Sequence, residues 1–87
     1  MPIYHLNIHN GLGLTADEEG QTLPDAEAAR AEAVKGIRAI LAEDVRQGFL
    51  DLAGRIEVTD ETGHLLFAVY FAEALRIRSR PETPAAN

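Results

Sequence analysis

Hydrophobic and polar positions alternate over residues 2–10. Tyr4, Leu6 and Ile8 fall on one side of an extended chain, and His5, Asn7 and His9 on the other. A period of two marks a half-buried strand. Asn10-Gly11 is a turn dipeptide, with Gly13 close behind. Residues 14–19 read as a short return strand or a loop that ends at Gly20, so a hairpin is predicted over about residues 2–22.

The period then changes to that of a helix. Ala26, Ala29 or Arg30, Ala33, Ile37, Ile40, Leu41 and Val45 recur at intervals of three and four, and Val34 widens the stripe. Thr22 with Asp25 three residues on has the layout of a capping box, and Pro24 suits a first helical turn. Gly48 is placed to stop the helix, which is predicted over about residues 25–47. Glu27–Arg30, Glu32–Lys35 and Glu43–Arg46 are spaced to pair along its exposed side. Gly36 stands in the helix interior at a cost of about 1 kcal/mol relative to alanine. Close packing against a strand is the reading that accounts for it.

Residues 55–60 alternate again, with Ile56 and Val58 inward. Asp60-Glu-Thr-Gly63 has the form of a type I turn closed by a glycine, a common hairpin connection. His64 to Phe71 is almost wholly apolar, which reads as a central strand or as one whose second face meets a partner. With Phe67, Val69 and Phe71 toward the helix, Leu66, Ala68 and Tyr70 face the other way. Residues 72–75 read as one helical turn or a strand end. Residues 79–87 lack core residues and are expected to be a disordered tail. The predicted architecture is α+β in the order β-β-α-β-β: a small antiparallel sheet, one helix on one face, and a single domain over residues 1–78.

Composition narrows what such a domain does. The chain has 87 residues, 46% of them hydrophobic, and no cysteine. Disulfides, thiolate metal sites and cysteine nucleophiles are therefore excluded. A chain this short buries only roughly 60% of its unfolded surface, and small domains without staples often gain stability by oligomerising. Fourteen acidic and eight basic residues give a net charge of −6, a poor match for a phosphate backbone. No apolar run is long enough to span a membrane, and the first residues lack the basic start and apolar core of a signal peptide. A cytoplasmic protein is expected.

In four stretches the chain resembles a family of small bacterial domains known only as domain of unknown function 6894. They are Tyr4-His-Leu-Asn-Ile-His-Asn-Gly11, Asp17-Glu-Glu-Gly20, Leu23-Pro-Asp-Ala-Glu-Ala-Ala-Arg-Ala-Glu-Ala33 and Gly54-Arg-Ile-Glu-Val-Thr-Asp-Glu-Thr-Gly63. The resemblance runs over roughly residues 2–78. It implies no catalytic residues, because no activity is attached to that family. Asn10-Gly11 stands where Asp-Gly would be typical, a turn-compatible exchange. A fainter similarity, of layout alone, is to HicB-type antitoxins, in which an acidic residue and a glycine precede a Glu- and Ala-rich helix on a small sheet.

Candidate chemistry is sparse. His5 and His9 share one strand face but stand roughly 13 Å apart on a straight strand, too far to bind one zinc ion. His64 would have to join one of them, with a third ligand from elsewhere. Asp17, Glu18 and Glu19 are acidic enough for a hard cation but lack the spacing of an EF-hand loop, and a solvated turn accounts for them. Gly11-Leu-Gly13 is too short for a phosphate loop, and Ser79, the only serine, adjoins the tail. Nothing in the sequence sets a separation for Glu57 and Glu73 as a carboxylate pair. No catalytic residue, metal or cofactor is expected. Arg76, Arg78 and Arg80 alternate, so an extended segment would present them together to phosphates, with Tyr4 and Tyr70 as stacking surfaces. The plainer account of these arginines is charge on an edge strand.

The leading expectation is a non-enzymatic protein-interaction module, self-associating or binding another protein through Leu66, Ala68 and Tyr70, with His5 and His9 at the rim. The alternative is an antitoxin-like regulator that binds a protein partner and brings its arginine end to nucleic acid.

Overall fold

A computed structural model describes residues 1–79. Five strands, one long helix and one 3₁₀ turn follow in order: β1 (Ile3–Asn10), β2 (Gly13–Thr15), β3 (Gln21–Thr22), α1 (Ala26–Arg46), β4 (Arg55–Thr59), β5 (Leu65–Tyr70) and the 3₁₀ turn Phe71–Ala74. The sheet is antiparallel in the order β2-β1-β4-β5, and β3 also pairs with β1. The fold is thus α+β, with the return strand of the first hairpin split in two. β2 pairs with the end of β1 (Ile8↔Thr15, Asn10↔Gly13), and β3 pairs with its start (Ile3↔Thr22, Tyr4↔Gln21).

Asp17 holds the interruption against β1. Its carboxylate accepts from the Leu6 N–H at 3.1 Å and from the Gly20 N–H at 3.1 Å, while its own N–H donates to Asn7 Oδ1 at 2.8 Å. Backbone donors left open by the missing strand pairs are satisfied in this way. Gly20 has φ +78°, and a Cβ there would come within 2.7 Å of Ile3 Cγ2. Asp17 is therefore a structural clasp, while Glu18 and Glu19 beside it are exposed, as in a solvated turn.

The helix begins at Ala26, one residue later than predicted, and its cap lies three residues beyond Thr22. Asp25 is itself the N-cap, accepting from the Ala28 N–H at 2.8 Å, so Thr22 belongs to β3 and Pro24 precedes the cap. At the far end, Gly48 N–H donates to Val45 O at 2.9 Å and Phe49 N–H to Asp44 O at 3.1 Å, the bond pair of a Schellman motif. The buried stripe is Ala29, Ala33, Ile37 and Leu41. Val45 drops out of it, 59% exposed, because the sheet has ended beneath the last turn. Of the three expected ion pairs along the helix, Glu43–Arg46 forms, at 3.0 Å. Arg30 instead lies over the Phe67 ring, 4.6 Å from its centre, and 4.0 Å from Glu73.

Ile56 and Val58 of β4, Val69 of β5 and Tyr4 and Leu6 of β1 meet the helix stripe in one core, closed by Phe71 and Ala74. The 3₁₀ turn decides residues 72–75 in favour of a helical turn. It is tied to α1 by Arg38 Nε, which donates to Ala74 O at 2.6 Å, and to the β4 entry by Phe71 N–H, which donates to Gly54 O at 2.9 Å. Gly54 is packed so closely that a Cβ would meet the Phe71 ring at 2.7 Å and the His9 carbonyl at 2.8 Å. Gly36, by contrast, has room: a Cβ there would lie 3.7 Å from Ile56 Cδ1, an ordinary contact, so close approach to a strand does not account for this glycine.

Asp60–Gly63 turns as expected. Asp60 Oδ1 accepts from Thr62 N–H, Thr62 Oγ1–H and His64 N–H at 2.8–2.9 Å. These bonds, led by the Thr62 hydroxyl, hold the Asp60 carboxyl down from its ordinary 3.8 to about 2. Residues 76–79 carry no regular structure, so Arg76 and Arg78 do not lie on an edge strand. Arg80 and the rest of the expected tail lie outside the described residues.

Candidate functional site

One helix lies over one face of the sheet, and the other face is bare among the described residues. Cross-strand register defines what stands on it. His9 is flanked by Leu14 on β2 and Arg55 on β4, and Arg55 by Tyr70 on β5. The next row is Asn7, Glu57 and Ala68, and the next pairs His5 with Thr59. A register shift between Val58 and Thr59 adds one residue to β5, which sets Leu65 and Leu66 together against Thr59. Leu14, Leu66 and Tyr70 are 61%, 46% and 50% exposed. β1 and β2 extend the sheet sideways and the 3₁₀ turn packs against the helix, so neither covers this face; the loop at Asp17 meets it only at the side chains of His5 and Asn7.

Along the middle of the face runs a small charge network. Glu57 accepts from Arg55 Nε at 2.8 Å, and its other oxygen lies 3.0 Å from His9 Nε2. The hydrogen bond from Arg55 is the main reason that the Glu57 carboxyl sits below its ordinary value. Arg55 and Glu57 cancel, so the middle of the face is formally neutral on a chain of charge −6, while Glu18, Asp60 and Glu61 border its His5 end. His5 does not share this network; its Nδ1 bonds the Asp17 carbonyl.

The residues singled out from the sequence therefore divide. Leu66, Ala68 and Tyr70 are on the bare face, as are His5 and His9 two strands away on β1. Tyr4 is only 7% exposed and belongs to the core, so it offers no stacking surface. Arg76 and Arg78 are exposed, and Arg80 lies outside the described residues. His64 is used in its own turn, 2.8 Å from Thr62 Oγ1. Glu57 is on the bare face while Glu73 caps the 3₁₀ turn, accepting from Tyr70 N–H at 3.2 Å, so the two make no carboxylate pair. Among the described residues no three His, Asp or Glu side chains are grouped to hold a metal ion. No helix there is long and apolar enough to cross a membrane.

Leu14, Arg55 and Glu57 were not anticipated as surface partners of Tyr70 and Ala68. Alternation with Ile56 and Val58 places Arg55 and Glu57 outward, but only register says whom they meet. A second concavity, about 490 Å³, lies on the helix side between α1 and the β1–β2 edge, with Leu6, Ile8 and Ile56 beneath and Gly36, Ala39 and Ala16 as walls. It exists because one helix is too narrow to cover every strand.

Among the described residues, fold and face together define a one-helix α+β domain with one sheet surface left unpacked. The chain belongs to the family described as Domain of unknown function (DUF6894), whose model matches residues 3–72. That span takes in every strand and the helix. No curated protein and no solved structure matches the chain.

Proposed function

We propose that this chain is a cytoplasmic, non-enzymatic interaction module that self-associates through the bare face of its sheet. Leu66, Ala68 and Tyr70 form the contact, and His5 and His9 stand at its rim. The observation that carries this reading is an apolar strand surface, half exposed at Leu66 and Tyr70, on a face whose central charges, Arg55 and Glu57, cancel. Contiguous exposed apolar surface is characteristic of association sites. Local neutrality favours a second copy in particular, since elsewhere two chains of charge −6 repel each other.

Sedimentation equilibrium from low to high micromolar concentration tests the proposal. A concentration-dependent dimer is expected, and Tyr70→Glu should weaken it at least tenfold while leaving the far-UV spectrum unchanged. A chain that stays monomeric at high micromolar concentration refutes it.

A further inference from the structure

We infer that the seam of the dimer is the outer edge of β5, which pairs antiparallel with the β5 of a second copy about a two-fold axis and joins two sheets into one. The inference rests on the self-association reading above but moves the contact from the sheet face to the β5 edge, where Leu66, Ala68 and Tyr70 flank a seam of backbone hydrogen bonds and His5 and His9, two strands away, lie outside it.

The two edges of the sheet are built differently. On the β1 side the outermost strands are three and two residues long, broken by the loop that carries Asp17, Glu18 and Glu19. Short edge strands and charge are the means by which sheets avoid pairing with other chains. On the other side, β5 runs for six residues, Leu-Leu-Phe-Ala-Val-Tyr, without a charge or a proline. Among the described residues no strand lies beyond it. Its bulge is confined to the start, and register is regular from Phe67 to Tyr70.

An antiparallel edge is self-complementary under a two-fold axis, because each copy offers the same donors and acceptors in opposite order. The flanking charges do not oppose this. On the bare face Arg55 is bonded to Glu57, and on the helix side Arg30 lies near Glu73, so each face brings an oppositely charged pair toward the seam. A six-residue seam makes an interface below about 1,200 Å² in total, at the weak end of specific association. Dissociation in the micromolar range is therefore expected.

Residue-resolved amide exchange by NMR on the full chain, at low and at high concentration, tests the mode. Tyr70 N–H already donates to Glu73 within one copy, so strand pairing is read on the remaining outward-facing amides of Leu65–Val69, which should gain protection as the dimer forms. Ala68→Lys, which can pair with Glu57 in the monomer, should raise the dissociation constant at least tenfold. Leu14→Glu, three strands away, should leave it unchanged. A dimer that forms without new β5 protection, and that Leu14→Glu weakens, overturns the edge seam in favour of face-to-face packing while self-association stands. A monomer at every concentration overturns both.

Discussion

Two glycine-to-alanine substitutions, chemically identical, should move stability in opposite directions. Gly36 lies in the interior of α1, where glycine is about 1 kcal/mol worse than alanine because the unfolded backbone has more freedom to lose. The added methyl would stand 3.7 Å from Ile56 Cδ1, within ordinary contact, so nothing has to move. Gly36→Ala should then stabilise the fold by about 1 kcal/mol, which for a domain of this size raises the melting temperature by roughly 4–8 °C. Gly54→Ala places the same methyl 2.7 Å from the Phe71 ring and 2.8 Å from the His9 carbonyl. The carbonyl belongs to β1, which is paired on both sides and cannot withdraw as a side chain would. Overpacking of this kind costs about 1–3 kcal/mol. Thermal and urea unfolding followed by circular dichroism, at one fixed protein concentration, measures both. A melting temperature for Gly36→Ala at or below that of the parent chain would refute the reasoning about free space at α1. Gly36→Ala should also leave the dimerisation constant unchanged, since Gly36 is on the helix side; a weakened dimer would move the association surface to the groove.

Other expectations follow from single contacts. Asp17→Ala removes acceptors from the Leu6 and Gly20 amides and should cost about 1.5–3 kcal/mol in urea unfolding, the range for hydrogen bonds to a charged group; an unchanged midpoint would mean that water replaces the clasp without penalty. Because the folded Asp60 carboxyl titrates at about 2 instead of 3.8, its contribution is present above pH 3.8 and is lost as the pH falls toward 2. Asp60→Asn, which keeps an acceptor oxygen but does not titrate, should flatten the stability profile in that window, and a profile of unchanged slope there would contradict the assignment.

The main strands, the helix and their inward faces were legible in the sequence. Alternation in β1 and β4, the three-and-four stripe of α1 and the glycine-closed turn at Asp60–Gly63 are local patterns, and local backbone geometry reads them directly. The outward set Leu66, Ala68 and Tyr70 was legible for the same reason: period two assigns a strand's faces without reference to its neighbours. Tertiary structure alone decided the rest. Thr22 looked like a helix cap until pairing with Ile3 claimed it for β3, leaving Asp25 to cap the helix. Within the acidic run, Asp17 became a clasp because the gap between two short strands left the Leu6 amide unpaired. Val45 left the core, and Leu14, His9, Arg55 and Tyr70 were brought into one row, all through register and the length of the sheet beneath the helix. Spacing along a chain records which way a side chain points. Which residue it meets depends on strands that are distant in sequence, and only their hydrogen-bonded register supplies that.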